Sequence, residues 1–228
     1  YVNGFTYYRG RYMVRSNDGG VTWNQINIPD EDWSTLAWHA FDLKVSPANP
    51  DRVFSGGLDL WNTGNGGLTW RHVSDWSLMY YGGGDEYVHA DQHIIRYQPQ
   101  NPGTAVFSSD GGVFSSTTAN QNYPVFEQKN KGYNTLQFYS CAMNPSEGTN
   151  RFIGGLQDNG TLKYTGTPLT INDMIDGGDG AFCFWDQDDP SVYITSVYYN
   201  SYSYWRNNVQ VGYTNPGTGT FISPADYD

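Results

Sequence analysis

Residues 16–23 read Ser-Asn-Asp-Gly-Gly-Val-Thr-Trp, and residues 63–70 repeat the pattern as Thr-Gly-Asn-Gly-Gly-Leu-Thr-Trp. In such a stretch the Asp side chain accepts backbone N–H bonds across a hairpin turn, Gly supplies positive φ, and Trp packs beneath the turn. We therefore expect Asp18 to accept hydrogen bonds within its own hairpin and Trp23 to be buried below it. The turn-forming positions are Ser16, Asp18, Gly20, Thr22 and Trp23 in the first copy, and Thr69 and Trp70 in the second.

The composition around these turns is that of a β protein. Of the 228 residues 27 are Gly, 17% are aromatic and only 15% are charged, which favours many short strands joined by tight turns over helices. No apolar run approaches the length of a membrane-spanning helix. The formal net charge of −11 leaves no basic surface for nucleic acid.

A longer repeat accompanies the turns. Four alternating apolar runs each lead to an Asn-Pro or Asp-Pro pair, and the prolines of these pairs stand at positions 50, 102, 145 and 190. The runs cover residues 41–47, 93–99, 138–143 and 182–185, and a second strand-like run follows each at 52–55, 105–108, 151–154 and 192–195. Spacings of 43 to 52 residues that hold three or four short strands are the size of one propeller blade.

These repeats predict an all-β protein with about four propeller blades of antiparallel strands. The predicted units are residues 33–86, 87–134, 135–176 and 177–228, with residues 1–32 as the end of an earlier blade. We expect the run before each proline to form the innermost strand of its blade. Four and a half blades would leave open sheet edges, so we expect the chain to be part of a larger ring and to accompany other domains of one polypeptide.

The chain resembles the Asp-box (BNR-repeat) β-propeller superfamily, nearest to its xyloglucanase and sortilin-type branch. The two eight-residue turns carry the resemblance, together with segments 89–93, 109–113, 154–161 and 177–180. The resemblance implies a secreted or cell-surface protein, and the superfamily includes hydrolases, receptors and binding modules. A sialidase is excluded, because the chain has no Phe/Tyr-Arg-Ile-Pro motif and only four Glu residues.

The main candidate site is the motif His89-Ala90-Asp91-Gln92-His93. An extended backbone would point His89, Asp91 and His93 to one side, where they could bind a divalent metal with Asp85 and Glu86 nearby. The alternatives are hydrogen bonds that fix neighbouring blades, or contact with a substrate.

Two loops carry further carboxylates. Asp158 stands in an Asp-Asn-Gly hairpin turn, and Asp176 and Asp179 flank two glycines ahead of a predicted inner strand. These side chains either stabilise their turns or bind calcium or a sugar hydroxyl, although the spacing is not that of an EF-hand.

The aromatic residues exceed what the turns require. Trp33 and Trp38 lie in a loop before a strand, and we expect them to be exposed and to stack on a glycan. Packing between blades is the alternative interpretation.

Cys141 and Cys183 are the two cysteines, and no C-x-x-C pattern is present. If both lie on neighbouring inner strands, a disulfide could link two blades; two buried thiols are the alternative.

The function that these observations favour is a secreted or cell-surface propeller scaffold for glycan or protein partners. The resemblance implies a second function, a xyloglucanase-like glycoside hydrolase with paired Asp residues. A structural subunit of an extracellular assembly is a third hypothesis. No cofactor is certain from the sequence; Ca²⁺ or another divalent metal is the candidate.

Overall fold

The computed structural model describes residues 9–132, 135–167 and 172–227. The chain divides into two compact units, residues 1–133 and 134–228. In the described ranges, none of the helical segments has the length and apolar character that crossing a membrane requires.

The first unit contains a hairpin and two four-stranded antiparallel sheets with consecutive strand order. The hairpin pairs β1 (Met13–Arg15) with β2 (Asn24–Ile26). The first sheet consists of β3 (Asp42–Val45), β4 (Val53–Gly56), β5 (Leu60–Thr63) and β6 (Arg71–His72), and a short 3-10 helix, Trp76–Tyr81, follows it. The second sheet consists of β7 (Gln92–Gln98), β8 (Asn101–Ser109), β9 (Gly112–Ser116) and β10 (Glu127–Gln128).

The second unit contains two more sheets of the same kind. One consists of β11 (Phe138–Met143), β12 (Phe152–Leu156), β13 (Thr161–Tyr164) and β14 (Asp173–Asp176). The other consists of β15 (Gly180–Trp185), β16 (Val192–Val197), β17 (Ser201–Arg206) and β18 (Val209–Thr214).

The predicted fold class is confirmed. The described part of the chain is all-β, and its four four-stranded sheets are antiparallel meanders with the topology of β-propeller blades. Each predicted inner run forms the first strand of a sheet: β3, β7, β11 and β15. Each of these strands ends before its Asn-Pro or Asp-Pro pair, and the pair Asn101-Pro102 opens the next strand, β8.

In the first unit, the first strands of the two four-stranded sheets, β3 and β7, lie side by side. The carboxylate of Asp42 on β3 accepts a hydrogen bond from the backbone N–H of Ile95 on β7 at 2.6 Å. The backbone N–H of Gln92 donates to the carbonyl of Gly57 at 2.8 Å. An apolar core that includes Phe54, Ile95 and Phe107 is buried between the two sheets. The two sheets therefore form one packed body.

The second unit repeats this arrangement with β12 and β15. Gly155 approaches Ala181 so closely that an added Cβ would lie 1.9 Å from the carbonyl oxygen of Ala181. Its core contains Ile153, Cys183, Trp185 and Tyr193. The two backbones can therefore come this close only because the residue at position 155 has no side chain.

The disulfide alternative is wrong, since Cys141 and Cys183 are both free. Ser140 is the β11 residue that faces β15: its hydroxyl accepts the backbone N–H of Cys183 at 2.9 Å. Successive residues of a strand point to opposite faces, so Cys141 is directed away from Cys183. The thiol of Cys183 instead lies 3.6 Å from the carbonyl oxygen of Ile153.

The two eight-residue turns share one hydrogen-bond network. The Asp18 carboxylate accepts the backbone N–H of Thr22 at 2.9 Å and its hydroxyl at 2.5 Å, as predicted. These bonds, with the Thr22 hydroxyl as the largest cause, lower the pKa of Asp18 to about 2. In the second copy Asn65 accepts the backbone N–H of Thr69 at 3.0 Å, and its amide donates to the Thr69 hydroxyl.

The predicted burial of Trp23 is wrong. Its side chain is 60% exposed, although the indole N–H donates to the carbonyl of Gly20 at 3.1 Å. The hairpin β1–β2 is a two-stranded sheet, and within the described residues no further strand pairs with it to cover the indole. The equivalent Trp70 belongs to a complete sheet's last turn and is partly buried, with its indole N–H bonded to the carbonyl of Asn27.

Candidate functional site

Three ionisable side chains of the first unit converge on one point. The Nε2 atom of His39 lies 2.8 Å from one carboxylate oxygen of Asp110, and Nε2 of His93 lies 2.5 Å from the other. The two imidazole rings meet edge to face with centroids 5.1 Å apart. We call His39, His93 and Asp110 the histidine–aspartate cluster.

Strand geometry explains why two of the three residues meet. Gln92 pairs with Ser109 and Ile94 with Ser108, so the ladder shifts register at His93, which lies in a β-bulge. Asp110 belongs to the tight Asp-Gly turn that joins β8 to β9 directly after Ser109. Bulges re-aim side chains at strand ends, and here the bulge directs His93 toward the adjacent turn.

His39 arrives from a different part of the chain. Residues 32–40 form consecutive turns, in which the N–H groups of His39 and Ala40 both donate to the carbonyl of Leu36 at 2.8 Å. Trp33 and Ala40 are buried and hold the two ends of this segment. Of the residues between them, Ala37, Trp38 and His39 are exposed at the surface.

Asp91 lies beside the cluster in an unusual electrostatic environment. Its carboxylate oxygen comes within 4.8 Å of a carboxylate oxygen of Asp110. Burial, and secondarily the charge of Asp110, raises the pKa of Asp91 to about 6, while His39, His89 and His93 oppose the shift. One carboxylate of the pair therefore ionises much less readily than an ordinary aspartate.

The structure brings together only part of the predicted motif. Asp91 has φ of +66°, so the segment is not the extended backbone on which the predicted alignment of its three side chains depended. His93 joins the cluster, whereas His89 is buried beneath Gly111. Asp85 and Glu86 are exposed, and their backbone carbonyls accept hydrogen bonds from Phe126 and Asp75.

The loop carboxylates of the second unit hold their own loops. Asp179 accepts the backbone N–H of Asp158 at 3.0 Å, and Asp158 has φ of +59°. Asp176 accepts the hydroxyl of Thr195 at 2.6 Å and the backbone N–H of Gly177 at 3.1 Å. These contacts give the carboxylates of Asp176 and Asp179 a stabilising role, and Asp158 takes part through its backbone N–H; calcium or sugar binding at the three carboxylates stays a prediction.

The two tryptophans of segment 32–40 behave differently. Trp38 is 65% exposed, as expected, and its ring centroid lies 5.4 Å from that of His39. Trp33 is only 7% exposed and packs against Phe41 at 5.2 Å, so its predicted exposure is wrong. Its burial follows from its anchoring position at the start of the segment.

A separate apolar cleft borders the β1–β2 hairpin. It has a volume of about 610 Å³, and its lining includes Val14, Trp23, Leu43, Val45 and Trp70. The nearby guanidinium of Arg15 is paired with Asp51 at 2.6 Å. This cleft presents mainly apolar surface, both aliphatic and aromatic, whereas the histidine–aspartate cluster presents hydrogen-bonding groups.

Comparison with known proteins indicates distant structural similarity. No protein-family model and no curated protein matches the chain. The GH74 xyloglucanase of Xanthomonas campestris has a TM-score of 0.40 at 15% identity over 89% of this chain and 34% of that structure. The GH74 enzyme of Niastella koreensis gives 0.40 at 14% over 89% and 37%, and YCF48 of Cyanidioschyzon merolae gives 0.36 at 12% over 92% and 68%.

The chain thus spans about a third of the length of the two GH74 structures. Similarity at this level does not transfer an activity, because one fold carries many functions.

Proposed function

We propose that the chain is a secreted or cell-surface propeller scaffold that binds a neutral glycan at the histidine–aspartate cluster. The observation that carries the proposal is the exposed indole of Trp38 directly beside hydrogen-bonding imidazole and carboxylate groups. Membership of the Asp-box superfamily, supported by the shared network of the two turns, belongs to the same proposal.

This arrangement offers contacts to both the apolar face and the polar edge of a sugar ring. The C–H face of a pyranose is apolar and packs on an indole ring, which otherwise leaves a large apolar surface in water. The hydroxyl groups at the ring edge donate to carboxylates and exchange hydrogen bonds with imidazoles. Trp38 supplies the first kind of surface, and His39 with Asp110 supplies the second.

Charge favours a neutral ligand over an anionic one. The chain carries a formal net charge of −11, and the cluster itself contains a carboxylate with a second, Asp91, nearby. An acidic glycan would meet repulsion here, whereas a neutral oligosaccharide would not.

A glycan array probed with the intact chain tests this proposal. We expect binding to neutral oligosaccharides that falls at least about tenfold in Trp38→Ala, because stacking is removed. Trp23→Ala is the matched control, since Trp23 is similarly exposed on the β1–β2 hairpin. Absence of any bound glycan, or equal binding by Trp38→Ala and the wild type, would overturn the proposal.

A glycoside hydrolase is the second candidate, and the Asp91–Asp110 pair favours it. Retaining glycosidases place two carboxyl groups about 5 Å apart, one as acid and one as nucleophile. The two carboxylates come within 4.8 Å here. Release of reducing ends from xyloglucan, lost in both Asp91→Asn and Asp110→Asn, would establish it; no release by the wild type would exclude xyloglucan hydrolysis. If both assays are negative, a purely structural role replaces both functions.

A further inference from the structure

We propose that His39, His93 and Asp110 form a binding site for one divalent transition-metal ion of the Zn²⁺ type. The proposal goes beyond glycan binding and does not depend on it. It rests on the convergence of two imidazole nitrogens and one carboxylate, whose ligand atoms all lie within 4.8 Å of one another.

The spacing of these atoms suits a zinc ion. Zinc binds His nitrogen and carboxylate oxygen at about 2.0–2.2 Å, so two tetrahedral ligand atoms stand about 3.4 Å apart. The two nitrogen–oxygen distances, each to a different oxygen of Asp110, are 2.8 and 2.5 Å, which is about 0.6 and 0.9 Å below that spacing. Shifts of less than about 1 Å at the side-chain ends would open the cluster to a metal–ligand distance.

The donor set indicates which metal is expected. Two neutral imidazoles and one carboxylate are ligands of zinc and of neighbouring transition metals, whereas calcium and magnesium prefer oxygen ligands alone. The sequence alone suggested Ca²⁺ or another divalent metal; this donor set favours a transition metal over calcium.

Access and rigidity also fit a site with an open position. The side chains of His39 and His93 are 37% and 34% exposed, while that of Asp110 is 13% exposed. An ion can therefore reach the imidazoles from solvent, and a water or ligand hydroxyl can occupy a fourth position. The supports are a strand bulge, a tight turn and a segment anchored at both ends, which limit motion of the ligands.

The competing interpretation is a hydrogen-bonded His–Asp–His group that only joins segment 32–40 to β7 and the β8–β9 turn. In that case each imidazole donates its Nε2 proton to Asp110, and no metal displaces these protons. Metal binding requires both Nε2 atoms without a proton. The two interpretations therefore differ in the number of metal ions bound per chain, which can be measured.

Isothermal titration of the metal-free 228-residue chain with ZnCl₂ distinguishes them. We expect one Zn²⁺ per chain, with affinity reduced at least about 10–100-fold in His93→Ala and in Asp110→Asn. Asp110→Asn preserves side-chain shape and provides the test if His93→Ala does not fold. Co²⁺ bound at the site should add a visible absorption band that is absent from both variants.

His72→Ala is the matched control. His72 also pairs with a carboxylate, since its Nε2 lies 3.1 Å from Asp59, but it has no second histidine in that pair. We expect His72→Ala to bind Zn²⁺ like the wild type. Lack of zinc binding by the wild type, unchanged affinity in His93→Ala and Asp110→Asn, or an equal loss in His72→Ala would overturn the proposal. The glycan array has a different readout, so failure of either proposal is recognised separately.

Discussion

Replacing Gly155 with Ala should destabilise the second unit severely. The added Cβ would lie 1.9 Å from the carbonyl oxygen and 2.7 Å from the backbone nitrogen of Ala181, whereas real Cβ contacts essentially never fall below 3.0 Å. Both neighbours are backbone atoms, so strands β12 and β15 must separate by more than 1 Å. Overpacking of a core costs about 1–3 kcal/mol, and a backbone clash belongs at the upper end, near 3 kcal/mol.

Thermal unfolding followed by circular dichroism measures this cost. For a unit of roughly 100 residues, a loss of about 3 kcal/mol lowers Tm by more than about 10 °C. The control is Gly212→Ala on β18, where the added Cβ would make an ordinary 3.4 Å contact with Tyr204. We expect that variant to match the wild type or gain up to about 1 kcal/mol. A Tm for Gly155→Ala within about 2 °C of the wild type would refute the close packing of the two strands.

Three further predictions concern single groups. Thiol titration in denaturant without reductant should give two free thiols per chain, and a count of zero would show that the disulfide is present. In the native protein, a thiol reagent should modify exposed Cys141 before buried Cys183, whose pKa is raised by burial. Removing the Thr22 hydroxyl in Thr22→Val should raise the pKa of Asp18 from about 2 toward its ordinary value, as followed by carboxyl ¹³C NMR, and an unchanged value would contradict the turn network. The hydrogen bond to Asp59 raises the pKa of His72, so this pair stabilises the fold below the ordinary histidine pKa and loses that contribution as pH rises through the raised value. Asp59→Asn should therefore lower the pKa of His72 measured by NMR titration. The Tm difference between this variant and the wild type should shrink as the pH rises, and a difference that grows would contradict the prediction.

The strand arrangement could be predicted from the sequence because local rules determine it. Alternating apolar residues, Asn-Pro or Asp-Pro pairs and Gly-rich turns indicate where the strands lie, and β3, β7, β11 and β15 lie where these signals put them. The burial of Trp23 could not be predicted, since it depends on which strands cover the hairpin. The prediction of a disulfide was wrong for a similar reason, because a shift of one residue along β11 decides whether Ser140 or Cys141 faces β15.

The candidate site was predicted only in part. His93 and Asp91 stand out in a short motif, but their partners Asp110 and His39 come from a turn 17 residues later and a segment more than 50 residues earlier. Sheet packing decides which loops meet, and the sequence does not encode that in a local pattern. Two signals were available: the Asp-Gly turn at Asp110, and the position of His39 next to a tryptophan expected to be exposed.

Saturation-transfer-difference NMR on a neutral oligosaccharide selected from the array tests most directly whether the surface beside the histidine–aspartate cluster binds a glycan. The indole of Trp38 is 65% exposed beside His39, so the sugar C–H protons stacked on it should receive the strongest saturation from the wild-type protein. We predict that Trp38→Ala abolishes these signals and that Trp23→Ala leaves them unchanged. Signals of equal strength from Trp38→Ala and the wild type would contradict the account.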